Sequence, residues 1–227
     1  MDERVLAAMA RWPNVPAAHG WLSLSRRGQW LLHPHGQAWG GPSEEPGEAI
    51  TNPQITAFMS RNYQSDAQGC WFFQNGPQRV YVRLDGAPWI LRTVTDDRGR
   101  LQLHTHTDQA YGPVTHWWLD DDGCLYTQAG QGAGLITDRD LAQVIEALHT
   151  TDGEPLSARL ETFETPRDIQ GAALSVYLAG QTATPDIRRT VPPDAAPIGW
   201  LQSAETHAVL GFVRSPPRPD QHAKISA

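Results

Sequence analysis

One short stretch of the sequence carries side chains that could bind a metal ion. It contains His104, His106 and Asp108, and His116 follows after the next turn. Successive side chains of a β-strand point to opposite faces, so residues at every second position share a face. Two imidazoles and a carboxylate on one face can hold a divalent metal and leave one coordination position open. The spacing therefore indicates a metal site, with His116 as a fourth ligand or a base.

The same stretch has a second interpretation, as an ordinary half-buried strand. The alternate positions from Leu101 to Thr107 would then form the buried face, and the histidines the solvated face. The HxHxD pattern resembles metallohydrolase sites and the paired histidines of cupins. It departs from both, because Gln109 stands where the metallohydrolase motif has a histidine and the downstream glutamate of cupins is absent. Both interpretations stay open, and with them the presence of a divalent metal.

No side chain in the sequence has the surroundings of a catalytic nucleophile. A GxSxG turn is absent, and neither Cys70 nor Cys124 has a neighbouring histidine or a basic setting that would lower the pKa of its thiol. The Gly-rich stretch at residues 129–136 lacks the Lys-Ser/Thr pair of phosphate-binding loops, so we interpret it as a loop that leads into a helix. His33 and His35 are interpreted as solvent-exposed loop residues. The sequence therefore leans away from an enzyme.

Tryptophan, with 9 copies, is the unusual feature of the composition. Most tryptophan side chains are largely buried, but their rings also suit places where an apolar surface meets a polar partner. On a strand, only one of the adjacent Trp117 and Trp118 can face the core, so the other needs a cover such as a helix, a partner chain or a ligand. With Trp71 and Trp89, these two residues are the candidate ligand-binding residues.

The function favoured by these patterns is a non-catalytic binding or regulatory module that recognises a protein or small molecule through an aromatic-rich sheet face. The alternative is a metal-dependent enzyme, a hydrolase or a cupin-like protein, that uses the HxHxD site. A metal site requires its side chains to converge in a concave pocket. A binding module leaves the same side chains spread along a solvated strand.

Charge and cysteine content disfavour several classes of partner. The formal net charge is −7, and the 18 Lys and Arg residues are scattered, which disfavours nucleic acid. Two cysteines do not make a disulfide framework for 227 residues. Because no apolar segment approaches the ~20 residues of a membrane span and the N-terminus lacks a signal-peptide pattern, we expect a cytoplasmic protein without membrane contact. An exposed edge strand would suit a homodimer or another protein partner.

Residues 69–128 predict the central part of the fold. Short runs of aromatic and β-branched residues alternate there with turn signals that tolerate the positive φ angles of tight hairpins. The turn signals are Asn75-Gly76, Asp85-Gly86, residues 96–99 and residues 120–123. The last two resemble the turn at residues 25–28, with a polar start and a glycine in the fourth position. We therefore expect a meander of antiparallel strands that uses one turn chemistry repeatedly.

Helices are predicted where apolar side chains recur at helical spacing, at residues 2–11, 52–63 and 137–149. The apolar stripe of the second helix is Ile55, Phe58, Met59 and Tyr63. Strands are predicted at residues 156–163 and 174–178, and a last hairpin at residues 199–213. The predicted fold is α+β and mainly antiparallel, a curved sheet or partly open barrel with short flanking helices.

The predicted domains follow from a shift in composition near Thr150 towards Pro, Thr and Asp. Residues 1–149 would hold the meander and three helices, and residues 150–216 a small β-rich region. Residues 217–227 are predicted to be a disordered tail.

Two segments resemble those of an uncharacterised bacterial family of unknown function. They are WPNVPAAHGWLSLSRRGQW at residues 12–30 and RNYQSDAQGCWFFQNGPQRVYVRLDGAPWILR at residues 61–92. The resemblance covers about residues 1–125. It implies a bacterial, cytoplasmic origin and carries no activity, cofactor or catalytic residue.

Overall fold

The computed structural model describes residues 1–39, 46–179 and 192–217, and the chain forms two compact units. The first unit comprises Met1–Gly86 and Phe212–Ala227, and the second comprises Ala87–Gly211. The fold is α+β with mostly antiparallel sheets, one of which curls into a half-barrel, as the sequence predicts. The predicted boundary near Thr150 falls within the second unit, and the division into three domains stays a prediction. Apart from Pro217, the predicted tail lies outside the described residues.

The first unit is built on a six-stranded sheet. Its strands are β1 (Ala18–Leu24), β2 (Trp30–Leu32), β3 (Glu48–Ala49), β4 (Tyr63–Ser65), β5 (Trp71–Asn75) and β6 (Gln78–Leu84), in the order β3-β2-β1-β6-β5-β4. The pairing of β1 with β6 is parallel, and the other pairings are antiparallel. Helices α1 (Glu3–Arg11) and α2 (Pro53–Arg61) belong to the same unit. The predicted hairpin of β1 and β2 is confirmed.

The second unit is built on an eight-stranded sheet. Its strands are β7 (Trp89–Thr95), β8 (Leu101–Thr105), β9 (Val114–Asp120), β10 (Leu125–Ala129), β11 (Gly132–Ile136), β12 (Leu148–Thr150), β13 (Ser175–Leu178) and β14 (Ala196–Leu201). Their order is β12-β13-β14-β9-β10-β11-β7-β8. Three α-helices, α3 (Leu141–Ala147), α4 (Leu156–Glu161) and α5 (Thr206–Val209), and a 3-10 helix (Pro166–Gly171) accompany this sheet.

The predicted single meander is wrong in its connectivity. Strands β5 and β6 lie in the first sheet, whereas β7 to β10 lie in the second. Within the second sheet, β11 pairs with β7 and β14 pairs with β9, both in parallel. Parallel neighbours are joined by long crossover connections, so no local turn signal in the sequence announces them.

The repeated turn chemistry is confirmed at the three predicted turns, and a fourth turn, which the sequence analysis did not predict, has the same arrangement. Each turn begins with a Ser or Asp whose side-chain oxygen accepts the backbone N–H groups two and four residues further on. The first residues of these turns are Ser25, Asp66, Asp96 and Asp120. The glycine in the fourth position has a φ of 73° to 80° in all four, a conformation that costs glycine nothing. These turns fix where the neighbouring strands reverse.

The first two predicted helices are present, but α2 ends at Arg61, so Tyr63, the last residue of its predicted stripe, lies on strand β4. Asn52 caps α2, where its Oδ1 accepts the N–H groups of Gln54 and Ile55. The predicted apolar stripe is only partly buried, because Met59 is in the core while Ile55 is 48% exposed. None of the helices in the described ranges has the length and apolar character of a membrane-spanning helix.

Three predictions about the second unit are corrected. Helix α3 begins at Leu141 instead of Thr137, and the chain from Leu148 to Thr150 is strand β12. Residues 156–161 form helix α4 instead of a strand, since the leucines at its first and fifth positions fit helical spacing as well as strand alternation. The predicted last hairpin is absent from the described residues, where β14 pairs with β9 and β13 and α5 follows.

The Gly-rich stretch at residues 129–136 is a hairpin, not a loop that leads into a helix. Strand β10 ends at Ala129 and β11 starts at Gly132. A Cβ atom at Gly134 would lie 2.5 Å from Cδ1 of Leu91. The glycine at this position therefore permits close packing of neighbouring strands.

Candidate functional site

The HxHxD residues do not share one face of a strand. Strand β8 ends at Thr105, and the chain then turns. The Oγ1 atom of Thr105 accepts the N–H groups of Thr107 and Gln109, and Asp108 has a φ of 62° where the other turns have glycine. His106 and Asp108 therefore lie in a turn of the repeated kind, and strand alternation stops before them. The buried alternation of Leu101, Leu103 and Thr105 is confirmed.

Asp108 and His106 have other partners. The carboxylate of Asp108 forms an ion pair with Arg92 on the neighbouring strand β7. The Nδ1 atom of His106 accepts the N–H of Ile90 at 3.4 Å, and its ring lies 5.8 Å from the ring of Trp89. Burial lowers the pKa of His106 to about 3, although the charge of Asp108 acts in the opposite direction. His106 is therefore a neutral, packed side chain at neutral pH.

His116 is far from the other candidate metal ligands along the sheet. It lies on β9, and strands β10, β11 and β7 separate β9 from β8. In the part of the chain that the structure describes, no group of three or more His, Cys, Asp or Glu side chains is placed to hold a metal ion. The structure does not bring His104, His106, Asp108 and His116 together.

Three of the four candidate tryptophans are core residues. Trp71, Trp89 and Trp117 are each at most 7% exposed. The ring of Trp71 packs on Tyr63, with the centroids 4.8 Å apart, and the indole N–H of Trp89 donates to the carbonyl of Gln131 at 2.7 Å. Their ligand-binding role stays a prediction.

Trp118 is the half-buried member of its pair. A Cβ atom at Gly199 would lie 2.5 Å from Cζ3 of Trp118, so the indole lies directly on the glycine backbone of β14. The ring of His116 stacks beside it, with centroids 6.0 Å apart and planes inclined by 8°. The sequence predicts that one of the two rings needs a cover. For Trp118 this cover consists of the backbone of strand β14 and the ring of His116.

The first unit contains a buried polar network that sequence reasoning missed. The Oγ atom of Ser23 is 2.9 Å from Nε2 of His33, and Nη2 of Arg83 donates to the same Oγ at 3.4 Å. The Nε of Arg83 donates to Oδ1 of Asp85 at 2.8 Å. All four residues are at most 3% exposed, so the prediction that His33 is solvent-exposed is wrong. Because Ser23 is 0% exposed, its hydroxyl is closed to any substrate, and we assign the network a structural role.

The second unit contains a cavity of about 580 Å³, which we call the apolar cavity. Its wall combines the end of β9 with α3, α4, the 3-10 helix and β14. The lining residues are Leu119, Asp120, Asp121, Gly123, Leu141, Ile145, Leu160, Phe163, Thr165, Pro166, Arg167 and Trp200. Most of these side chains are apolar, and the charged ones are two aspartates and one arginine. This composition is typical of small-molecule sites.

Local sequence signals position the wall of the apolar cavity. The helical stripe of α3 buries Val144 completely and leaves Ile145 half-exposed in the wall. The 3-10 helix is held by a capping box, in which Asp168 and Thr165 exchange hydrogen bonds with the backbone. The guanidinium of Arg167, on that helix, lies 5.3 Å from the centre of the Trp200 ring.

Asp120 has an unusual environment in this wall. Its Oδ1 accepts the N–H groups of Asp122 and Cys124 at 3.1 and 2.7 Å. Its Oδ2 is buried and has no hydrogen-bond partner among the described residues. Burial raises the pKa of Asp120 and the charge of Asp122 adds to this, while the backbone and thiol of Cys124 lower it in part. The carboxyl group is thus incompletely satisfied.

A smaller cavity of about 280 Å³ lies elsewhere in the second unit. Its wall includes Arg100, Tyr111, Trp117 and Asp194. The Oδ1 of Asp194 is buried without a hydrogen-bond partner among the described residues, and burial raises the pKa of this carboxyl. The guanidinium of Arg100 is held by Asp96 at 2.7 Å.

The residues of the apolar cavity were not predicted as a site. They come from chain positions between 119 and 200, and only the tertiary fold brings them together. Asp120 was recognised as the start of a turn, and nothing in the local sequence shows that this turn is buried. Among the lining residues, only the stripe of α3 has a sequence signal, and that signal predicts burial without predicting a cavity.

Comparison with protein families gives one match over most of the chain. The model of a family described as "Protein of unknown function (DUF2946)" matches residues 1–217. The match extends well beyond the expected residues 1–125 and includes the whole second unit. No curated protein matches the chain.

Two solved structures are similar to the chain. A DUF1285 family protein from Silicibacter pomeroyi DSS-3 has 16% sequence identity and a TM-score of 0.41, and the alignment covers 66% of this chain and 86% of that chain. A DUF1285 family protein from Shewanella baltica OS155 has 15% identity and a TM-score of 0.37, with 55% of this chain and 89% of that chain covered.

Proposed function

Because the chain belongs to the family described as "Protein of unknown function (DUF2946)", we propose a function from the geometry of the second unit. The protein is a non-catalytic binding module, and the apolar cavity receives a small molecule with an apolar body. One observation carries the proposal, namely a cavity of about 580 Å³ with a mostly apolar wall.

The size and wall of the apolar cavity suit a small molecule. Ligand pockets in proteins commonly have volumes of roughly 300–1,000 Å³ and mostly hydrophobic walls with a few polar groups. Here Leu141, Ile145, Leu160 and Phe163 supply apolar surface from the helical side, and Trp200 supplies an aromatic ring from the sheet. An apolar ligand body would remove these half-exposed side chains from water, which is the main favourable contribution to such binding.

The proposed binding surface differs from the aromatic-rich sheet face that the sequence predicts. The aromatic ring that the sheet contributes to the apolar cavity is Trp200 on β14, which pairs with Leu119 on β9. Trp117 and Trp118 are on the same β9 strand but are not part of the wall. We therefore place the binding surface at Trp200 and the helices.

The chemistry of the wall supports binding over catalysis. The polar side chains that line the apolar cavity are two aspartates, a threonine and an arginine. A nucleophile next to a base, the arrangement that covalent catalysis needs, is not found among these lining residues. A cytoplasmic location and a protein partner or homodimer stay predictions.

A fluorescence titration with the neutral apolar dye Nile red tests the proposal. The variant Ile145→Trp places an indole in the apolar cavity and should weaken dye binding at least about tenfold. Ala142→Trp is the matched control, because it adds the same ring at an exposed position of the same helix. We expect the control to bind the dye like the unmodified protein.

Equal dye affinity in the unmodified protein and in both variants would show that the dye binds elsewhere. Absence of dye binding to the unmodified protein would also count against the proposal. Circular dichroism of each variant before the titration ensures that a loss of binding is not a loss of the fold.

A further inference from the structure

Three turns of the protein begin with an aspartate and allow a direct comparison of their carboxylates. In each turn Oδ1 accepts two backbone N–H groups. In two turns the second oxygen also has a donor, since Oδ2 of Asp66 accepts the Tyr81 hydroxyl at 2.9 Å and Oδ2 of Asp96 accepts Nε of Arg100 at 2.7 Å. In the third turn, Oδ2 of Asp120 has no such partner among the described residues.

The location of Asp120 makes this difference informative. Asp120 is 3% exposed and belongs to the wall of the apolar cavity. A buried carboxylate oxygen without a donor is costly, and most buried polar atoms in native proteins bond to protein, water or an ion. A group that enters the cavity can supply the donor that Oδ2 of Asp120 lacks among the described residues.

We infer that the ligand of the apolar cavity carries a basic nitrogen, which binds Asp120 as an ammonium group. The inference rests on the proposed function and adds the class of ligand, a small amphiphilic amine. The apolar part of the ligand contacts the leucines and Trp200, and the ammonium donates to the carboxylate. Because Oδ2 is shielded from solvent in the unliganded protein, side chains of the wall move aside as the ammonium reaches it.

The charges of the wall favour an amine over an acid. Asp120 and Asp121 contribute two carboxylates, and Arg167 contributes one guanidinium, which is held over Trp200. The wall therefore has a negative formal charge, and an opposite charge on the ligand is attracted. A hydrogen bond between two ionised groups is also stronger than one with a neutral hydroxyl.

Three probes that differ only in their polar end test the inference. They are 4-phenylbutylamine, 4-phenylbutanol and 4-phenylbutyrate, and calorimetric titration at pH 7 gives their affinities. For the unmodified protein we expect the amine to bind at least about tenfold more tightly than the alcohol, and the acid to bind more weakly than both.

The variant Asp120→Asn should remove the preference for the amine. Asparagine keeps an oxygen that can accept the N–H groups of Asp122 and Cys124, so the turn is retained. Asp122→Asn is the matched control, because it removes the same charge from an exposed residue of the same turn that is not part of the wall. The backbone N–H of residue 122, which donates to Asp120, is kept. The control should keep the preference.

The outcomes separate the inference from the proposed function. If the alcohol and the amine bind equally to the unmodified protein, or if the preference survives in Asp120→Asn, the inference is wrong. The proposed function then still stands, provided that Ile145→Trp weakens both probes. If none of the three probes binds and Nile red does not bind either, both are wrong.

Discussion

The two units differ in whether their buried charged side chains have hydrogen-bond partners. In the first unit, Arg83 and Asp85 are each 2% exposed at the side chain and form an ion pair at 2.8 Å. Arg83 also reaches Ser23, so the guanidinium is shared within one network. In the second unit, Asp120 and Asp194 each have a buried oxygen without a partner among the described residues, and both border cavities.

We use this difference to distinguish buried charged groups that stabilise the fold from those that could bind a ligand. A buried charge with a complete set of partners fixes one arrangement of the side chains around it. A buried carboxyl oxygen that lacks a donor weakens the fold slightly, and burial raises the pKa of both Asp120 and Asp194. Such groups are typical of sites that receive a ligand. Under the proposed function, the network of the first unit is structural and the second unit is the part that binds a ligand.

The largest expected effect comes from breaking the ion pair of the first unit. Arg83→Met would leave the carboxylate of Asp85 buried and without its guanidinium. We expect a loss of about 3–5 kcal/mol in the free energy of unfolding. Urea unfolding followed by circular dichroism measures this loss.

Two further variants control this experiment. Arg61→Met removes the exposed pair with Asp2, where the side chains are 57% and 31% exposed, and should change the free energy of unfolding far less than Arg83→Met. The double variant Arg83→Met with Asp85→Leu removes both buried charges and should recover much of the loss. A double variant as unstable as Arg83→Met alone would mean that the packing of the arginine stem, and not its charge, matters.

The next prediction compares equal truncations in the two units. Leu84 is 0% exposed in the core of the first unit, so Leu84→Ala should cost about 2–5 kcal/mol of unfolding free energy. Leu160 is half-buried in the wall of the apolar cavity, and Leu160→Ala should cost only about 1 kcal/mol, because part of its surface already faces open space.

Urea midpoints of the two alanine variants provide the measurement. Equal losses would show that Leu160 is as tightly packed as a core residue, which would contradict an open cavity beside it. A probe that binds in the apolar cavity should raise the urea midpoint of the unmodified protein, since binding to the folded state stabilises it by mass action. The rise should be smaller for Leu160→Ala.

Local parts of the fold could be predicted from the sequence because their signals lie within a few residues. The turns at Asp96 and Asp120, helices α1 and α2 and the hairpin of β1 and β2 are of this kind. The parallel pairing of β1 with β6 and of β14 with β9 depends on contacts across long stretches of chain. Strand patterns alone leave the partner of a strand undetermined.

The candidate sites show the same limit. The HxHxD stretch follows strand alternation only to Thr105, and the turn after it lacks the glycine that marks the other turns. An aspartate tolerates the left-handed conformation there, so the turn signal is hidden. The residues of the apolar cavity share no sequence pattern that marks them as one site, since Asp120, Leu160 and Trp200 meet only in the folded unit.

The smallest expected effect concerns Asp194 and depends on pH. Burial raises the pKa of this carboxyl, and its own backbone N–H offsets part of the rise. Above the raised pKa the group is ionised in the folded and unfolded states, and the folded state bears the cost of burying the charge. As the pH falls through the raised pKa, the folded state takes up a proton first, so this cost disappears. Asp194→Asn should therefore be more stable than the unmodified protein at pH 7, by at most about 1 kcal/mol, and the difference should shrink towards pH 4.

Asp96, in the same unit, serves as a control for which we expect the opposite change in stability. Arg100 lowers the pKa of Asp96 to about 2, so its contribution to stability is present at pH 7 and is lost as the pH falls through that value. Asp96→Asn should therefore be less stable than the unmodified protein at pH 7. Arg100 and Tyr111 are the other titratable groups in the wall beside Asp194, and burial raises the pKa of Tyr111 further above its usual alkaline value. A loss of stability in Asp194→Asn at pH 7 would show that the carboxylate of Asp194 has a partner in the folded protein. Asp120 would then be the one cavity carboxyl of this comparison with an unpartnered buried oxygen.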